Sequence, residues 1–443
     1  MTRFMMYMTF ISLLFFGIVG CSEGNSTNST SDNDSEGGED VENQEDVSLK
    51  LFTGKVETVD LMDELIADFE SANPNIQVEQ EYANDASNVM KVKFASGDVP
   101  DITTVITQDY MDQDRYIDLS DESYWDRILP SIKELNTDIK TGNTFSVATN
   151  VTMAGIFYNK EIFAELGLEE AQTWDEFVSN LETIKEEKPD VTPLFLPGKE
   201  VWSLGHLVEF MAHGEIKQEL GISDSRKAFI ENEKEKLGFS DPEGPMAIFA
   251  ERLMELQDKG LINEDALTAS YDNQKDAFVT GNAAMISQGM WVMGELLDID
   301  PEVAGRIGFS PYPPLKEGSK PVVLSAEDSK YAITSASEHP EEAKKFLEFL
   351  MKDENVKKYS EAIKSPPSFT DVDADWGPIK DETNAVLESA VNIQFTDWPS
   401  GFSGDDNGRM VQELLAGKYD GSDLTEFAQE YAETWNKAWE STQ

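Results

Sequence analysis

The chain has 443 residues, with 86 acidic against 35 basic side chains and a net charge of −51. That balance excludes nucleic-acid binding, because a phosphate backbone is gripped by a basic footprint. A single cysteine, Cys21, excludes a disulfide within the chain, so stability must come from buried apolar surface.

Residues 1–21 carry one base, Arg3, and no acid. An apolar run from about Phe4 to Val19 ends in Ile18-Val19-Gly20-Cys21. A basic start, a short apolar core and a small-residue exit describe an export signal. The run falls short of the about 20 apolar residues that span a bilayer. Ile-Val-Gly-Cys resembles the lipobox of bacterial lipoproteins. That resemblance implies a signal peptide over 1–20 and a lipid on Cys21, holding the mature chain on the extracytoplasmic face of a Gram-positive cell membrane. Residues 22–46 hold nine acids, no Lys or Arg, and one apolar residue, Val41. Such a segment cannot bury enough surface to fold, so 21–46 reads as a lipidated cysteine with a disordered acidic tether. The acidity of the remainder fits a saline or alkaline habitat, where salt screens like-charge repulsion.

Residues 47–443 are too many for one ordinary core and point to two lobes. VSLKLF (47–52) alternates as a strand does. Val59, Met62, Ile66 and Phe69 recur at helical spacing, and that helix ends before Asn73-Pro74. NIQVEQEY (75–82) is a second strand, a helix closes near Ala95-Ser96-Gly97, and DITTVIT (101–107) is a third strand. This β-α-β-α-β run marks an α/β fold with a mostly parallel sheet. Further on come a strand at 155–159, a helix from Trp174 to Lys185, a strand at 192–196 and a helix from near Ser203. Strands at 283–288 and 330–334 follow. Pro340-Glu341-Glu342 opens a helix with Ala343, Phe346, Leu347 and Leu350 on one face. A last amphipathic helix covers about Leu424 to Trp439.

Several stretches together carry a resemblance. They are ASGDVPDI (95–102), GIFYNKEIFAELGL (155–168) with TWDEF (173–177), AFVTGNAAMISQGMW (277–291) and HPEEAKKFLEFLMKDENVKKY (339–359). WSLGHLVEF (202–210) and ELLAGK (413–418) add to them. The chain resembles the extracellular solute-binding proteins of sugar ABC importers, family 1, the group that includes maltose-binding protein. Within it the likeness is to the multiple-sugar and oligosaccharide branch, and it covers nearly all of 47–443. It implies the type II periplasmic-binding-protein fold, a Venus flytrap of two α/β lobes with three hinge crossings. The crossings fall near 150–154, 320–327 and 364–370. Lobe 1 would be 47–151 plus 325–365, and lobe 2 would be 152–324 plus 366–443. The lobes would close by hinge bending on a ligand held between them.

A sugar offers hydroxyls at its edge and C–H groups on its faces, so its site needs aromatic rings, planar amides and carboxylates. Trp291 stands where the family carries a stacking tryptophan. Trp202, beside Glu200 in a loop before a helix, and Trp398 in FTDWPSGF are further candidates. Loops after the first and third strands contribute Lys55, Glu57, Gln108 and Asp109, since ligands gather at strand ends in such sheets. Asn150 and Thr152 lie at the first crossing. Trp174, Trp435 and Trp439 read as structural, while Trp125 and Trp376 stay open. The expected partners are a carbohydrate, the transmembrane subunits of an ABC importer, and the membrane through the lipid. The protein is expected to be a monomer without cofactor.

Three other readings compete with this one. A lipid-anchored glycoside hydrolase would need two paired carboxylates, but 86 acids make any such pair uninformative, and Gly-x-Ser-x-Gly and His-Glu-x-x-His are absent. A metal site meets only His206, His213 and His339, or a calcium loop at Asp371, Asp373, Asp375 and Glu382, where Trp376 takes the place of the required glycine. The same fold binding a peptide, polyamine or metal chelate is the third.

Overall fold

The structure, a computed structural model, describes residues 46–55, 58–83, 86–399, 401–419 and 424–441. The chain divides into units 1–44 and 45–443. The export signal, Cys21, the tether up to residue 45 and Glu57 lie outside the described residues.

The strands are β1 (Val47–Thr53), β2 (Ile76–Tyr82), β3 (Ile102–Thr103), β4 (Val147–Asn159), β5 (Thr192–Phe195), β6 (Ala283–Gly289), β7 (Ile307–Ser310), β8 (Val322–Ile333) and β9 (Val391–Ile393). They lie in the order β2-β1-β3-β8-β4-β6-β5, with β7 also on β4 and β9 on β8. β1 runs parallel to β2 and β3, joined by helices Val59–Ala72 and Ala86–Ser96. The first helix buries Met62, Leu65, Ile66 and Phe69. Phe69 meets Phe346 and Phe349 of helix Pro340–Leu350 edge-on, at 5.0 and 5.4 Å. Full burial of each such ring contributes about 1.5–3 kcal/mol.

The third strand is shorter than the expected 101–107. Thr104 Oγ1 accepts from the Gly54 amide at 3.0 Å, and Thr107 caps helix Gln108–Asp112 by accepting from the Tyr110 amide at 3.3 Å. Threonine side chains that bond nearby amides end a ladder early.

β4 and β8 pair antiparallel from Val147↔Tyr331 to Ala154↔Leu324. One end of β8 joins β3, and one end of β4 joins β6 and β7. This two-stranded ribbon therefore carries the chain between two groups of strands. A third segment lies along β4: the Val151 amide donates to Pro366 O at 2.8 Å, and the Ser368 amide to Thr149 O at 3.1 Å. Pro366 and Pro367 have no N–H to offer, and the hydroxyls of Ser365 and Ser368 donate instead to Val151 O and Ala148 O.

Helices Val201–Leu207 and Gly404–Leu415 touch backbone to backbone. A Cβ on Gly408 would lie 1.7 Å from Val201 O, and one on Gly205 would lie 2.1 Å from Gly404 O. Only glycine permits that approach. Trp174, Trp125 and Trp376 are buried, the first donating to Glu255 Oε2 and the second to Leu119 O, both at 2.8 Å. Trp435 is fully buried, while Trp439 is half-buried and donates to Ile230 O at 3.0 Å. No described helix is long and apolar enough to cross a membrane.

Candidate functional site

Two cavities flank the ribbon. The first, of about 220 Å³, is lined by Gln108, by Asp138 beyond helix Pro130–Asn136, by Glu327 and Lys330 of β8, by Arg226, and by Gln394–Trp398. The second, of about 180 Å³, is lined by Lys55 from the loop after β1, Thr152 of β4, Asp328 and Ser329 of β8, Trp291 and Glu295. An ordinary strand alternates its side chains, yet the consecutive Asp328 and Ser329 both line the second cavity. Ser329 has φ 46°, in the left-handed region a serine seldom adopts, and this local twist breaks the alternation. Its Oγ accepts from Tyr359 OH at 2.9 Å.

The first cavity is rich in directed polar groups. Gln108 Nε2 donates to Asp138 Oδ1 and Asp112 Oδ1 at 3.0 Å each, and Gln394 Nε2 donates to Ser225 Oγ at 3.0 Å. The carbonyl oxygens of both amides are buried without a protein partner. A buried acceptor left unpaired costs about 1–3 kcal/mol. Burial opposes ionisation of Asp138, but hydrogen bonds from Thr141 and Gln108 outweigh it and hold the carboxyl low. Burial pushes Asp397 up, with Arg226 pulling the other way. Arg226, 6% exposed, donates from Nε to Asp397 Oδ2 at 3.3 Å and from Nη1 to Glu134 O and Thr137 O at 3.1 and 3.2 Å. It thus caps the carbonyl end of helix Pro130–Asn136, a favourable place for a cation. Trp398 is half-buried and stacks on Phe402 at 5.9 Å and 26°.

In the second cavity Lys55 is ion-paired with Asp328. Trp291 donates from Nε1 to Gln288 Oε1 at 3.0 Å, and Gln288 is held in turn by Gln274 Oε1 at 2.8 Å. The indole folds over Gly289, where a Cβ would lie 2.1 Å from the ring. His206 lies 5.4 Å from Trp291 and stacks on Phe210 at 4.8 Å. Burial lowers its pKa to about 4, so the imidazole is neutral at physiological pH.

Of the residues expected from the sequence, Gln108 and Trp398 line the first cavity, and Lys55, Thr152 and Trp291 the second. Four others lie outside both linings. Asp109 sits on the short helix after Gln108. Asn150 is fully buried in the ribbon, its Oδ1 accepting from Thr149 Oγ1 at 3.1 Å. Glu200 Oε2 accepts from the Tyr271 amide at 2.7 Å, at the start of helix Tyr271–Val279. Trp202 packs edge-on against Tyr271 and His206, each at 5.4 Å. Arg226, Asp397 and Asp328 were not anticipated. Asp397 adjoins Trp398, and Asp328 follows the expected crossing at 320–327, so both had a neighbour as signal; Arg226 had none.

The four acids of the calcium pattern point to different partners. Asp371 pairs with Arg127 at 2.8 Å, Asp373 with Lys380 at 3.2 Å and Glu382 with Lys160 at 2.8 Å, while the Asp375 amide donates to Glu361 at 3.1 Å. Among the described residues no group of three or more His, Cys, Asp or Glu is placed to hold a metal ion. His213 is buried against Thr396 and Tyr431, away from His206 in its hydrogen bonding.

Residues 55–357 match the family model described as bacterial extracellular solute-binding protein. The chain is 28% identical over 366 residues to the multiple sugar-binding protein of Streptococcus mutans, covering 80% of this chain and 81% of that one. It is 26% identical over 373 residues to the melibiose/raffinose/stachyose-binding protein of Bacillus subtilis, covering 83% and 82%. A sugar transporter protein of Bacillus licheniformis, solved in complex with stachyose, superposes with a TM-score of 0.71 at 26% identity, covering 87% of this chain and 100% of that one.

Proposed function

We propose, from the premise that the chain belongs to the bacterial extracellular solute-binding proteins, that it captures an oligosaccharide between two lobes and delivers it to an ABC importer. The family's proteins bind solutes outside the cytoplasm rather than transform them, and the fold is the two-lobed type II α/β fold of its structural relatives. The lobes are 47–151 with 325–365, and 152–324 with 366–443. The β4–β8 ribbon and the segment 364–370 are the crossings that bend.

One observation carries the reading. The first cavity combines an indole, Trp398, with two buried amide oxygens that have no protein partner, on Gln108 and Gln394. A ring face receives sugar C–H groups, and a free carbonyl receives a hydroxyl. Such a site rejects solutes that leave its polar groups unpaired. Lys55, Thr152 and Trp291 extend recognition into the second cavity. The relatives named for multiple sugars and for melibiose, raffinose and stachyose favour an oligosaccharide over a peptide, polyamine or chelate.

The protein is a monomer, leashed by lipid on Cys21 and the acidic segment 22–46 to the outer face of a Gram-positive membrane. Incubation of expressing cells with a labelled fatty acid tests the anchor; a Cys21→Ser variant should lose the label and enter the medium.

Thermal shift against mono- and oligosaccharides tests the ligand class. Raffinose-type sugars should raise Tm, and Trp291→Ala should abolish the shift while the fold survives. Stabilisation by a non-sugar solute and by no sugar overturns the carbohydrate reading.

A further inference from the structure

The helical run from Val201 to Leu220 contains a π-helical turn, Val208–Ala212. Such turns insert a residue and recur at functional sites. Glu209, His213 and Lys217 follow at intervals of four, and all three are buried. Their polar atoms meet the segment Gln394–Trp398. Lys217 Nζ donates to Gln394 O at 2.7 Å and to Thr396 Oγ1 at 2.9 Å. Glu209 Oε1 accepts from the Thr396 amide at 2.6 Å. His213 Nδ1 lies 2.9 Å from Thr396 Oγ1, and its Nε2 lies 2.8 Å from Tyr431 OH. Tyr431 OH donates to Asn407 Oδ1 at 2.8 Å, so it accepts from His213 Nε2–H, and Nδ1 accepts from Thr396. The chain of donors is consistent from the lysine to the asparagine.

β9 ends at Ile393, and beyond it these side chains bond the main chain. The wall they hold carries Gln394, Asp397 and Trp398 into the first cavity. Burying a glutamate and a lysine is rarely the cheapest way to fill space; what these two supply is hydrogen bonds at fixed points of the segment they meet. We propose that Glu209 and Lys217 are positioning residues for ligand recognition, fixing the Gln394–Trp398 wall without touching the ligand. The proposal rests on the oligosaccharide reading above only for its affinity measurement.

The charged and titratable groups facing Lys217 come from every element around it. They are Glu209 and His213 from its own run, Asp397 from the wall, Arg226 from helix Ile222–Ile230 and Tyr431 from helix Thr425–Glu440. Burial lowers Lys217 to about 8, against the pull of Glu209 and Asp397. Burial holds His213 well below, and Tyr431 well above, their ordinary ranges, so both are neutral at pH 7–9.5. Burial likewise pushes Glu209 above its ordinary range, against the pull of Lys217 and the Thr396 amide. As pH rises through about 8, Lys217 loses its charge, its hydrogen bonds to Gln394 O and Thr396 Oγ1 weaken, and the wall loosens.

The test uses the purified full-length protein with raffinose and stachyose as probes. Affinity is measured by calorimetry at pH 7 and pH 9.5, with circular dichroism to verify the fold. Amide-exchange protection over 394–398 is followed without sugar. The wild type should lose about fivefold in affinity at pH 9.5, with reduced protection at Thr396. Lys217→Met should be about tenfold weaker already at pH 7 and flat with pH, and Glu209→Gln should weaken binding at pH 7. Wild-type affinity and protection that stay flat across this range overturn the proposal, even where a variant fails to fold. Loss of protection in a wild type that binds neither sugar supports the positioning role and sinks the sugar reading. Sugar binding that neither pH nor the variants alter does the reverse.

Discussion

The two cavities hold their tryptophans by different physics. Trp291 rests on the main chain at the end of a strand: its ring covers Gly289, and a relay of neutral amides orients its N–H. Trp398 sits on a segment beyond the last strand, and buried titratable side chains beneath that segment hold it by hydrogen bonds. Backbone packing is insensitive to solvent conditions. A buried titratable donor changes protonation state, so the rigidity it lends depends on pH. One protein thus presents two aromatic platforms of unequal resilience.

The largest effect should come from the aromatic cluster under the first cavity. Trp435 is fully buried and lies within 6.0 Å of the rings of His213, Phe229, Phe239, Trp398 and Phe402. Trp435→Ala should cost about 3–5 kcal/mol by urea denaturation, as large-to-small core changes do. Trp398 should lose support at the same time, seen as weaker oligosaccharide binding, while the environment of Trp291 is preserved. A destabilised variant with wild-type affinity would dissolve the contrast between the two platforms.

The next effect is on the other platform. Gly289→Ala puts a methyl where the Trp291 ring lies, at 2.1 Å. The ring is on a side chain and swings away from this buried strand end at the cost of its hydrogen bond to Gln288, so the fold should lose about 0.5–1.5 kcal/mol, the net worth of such a bond. Binding should weaken by about 2 kcal/mol, a factor of about 30. Calorimetry with raffinose checks it. Equal losses of stability and affinity would mean that the strand, not the ring, had been disturbed.

The elements that build these platforms were legible to different degrees. Period-2 alternation in VSLKLF and helical spacing at Met62, Ile66 and Phe69 are local, and the structure has a strand and a helix there. The 101–107 strand misled because Thr104 and Thr107 look like strand formers until their hydroxyls find amides. Trp202 and Trp291 are both tryptophans beside helix starts, and residue type alone does not separate them. What separates them is that helix Val201–Leu207 turns Trp202 against Tyr271, a contact across 69 residues of chain. Arg226 illustrates the general limit. Its meaning depends on carbonyls of Glu134 and Thr137 and on Asp397, and no local pattern joins positions so far apart.

The smallest effect separates the platforms by pH in the acid direction. His206 packs against Trp291, and its pKa is lowered by burial to about 4, from an ordinary 6.5. Between these values the unfolded chain binds a proton that the folded protein refuses. Stability therefore falls as pH drops from 6.5 towards 4, and this contribution is complete below that. The first cavity is the reverse: its Lys217, lowered to about 8, loses its charge in the alkaline direction. His206→Asn removes the acid term without adding a titrating group. Melting scans at pH 7 and pH 4.5 should show a smaller Tm loss in the variant than in the wild type, by a few degrees. Parallel losses would show that the imidazole beside Trp291 is solvated well enough to accept a proton. His206 would then lend the second platform no sensitivity to acid.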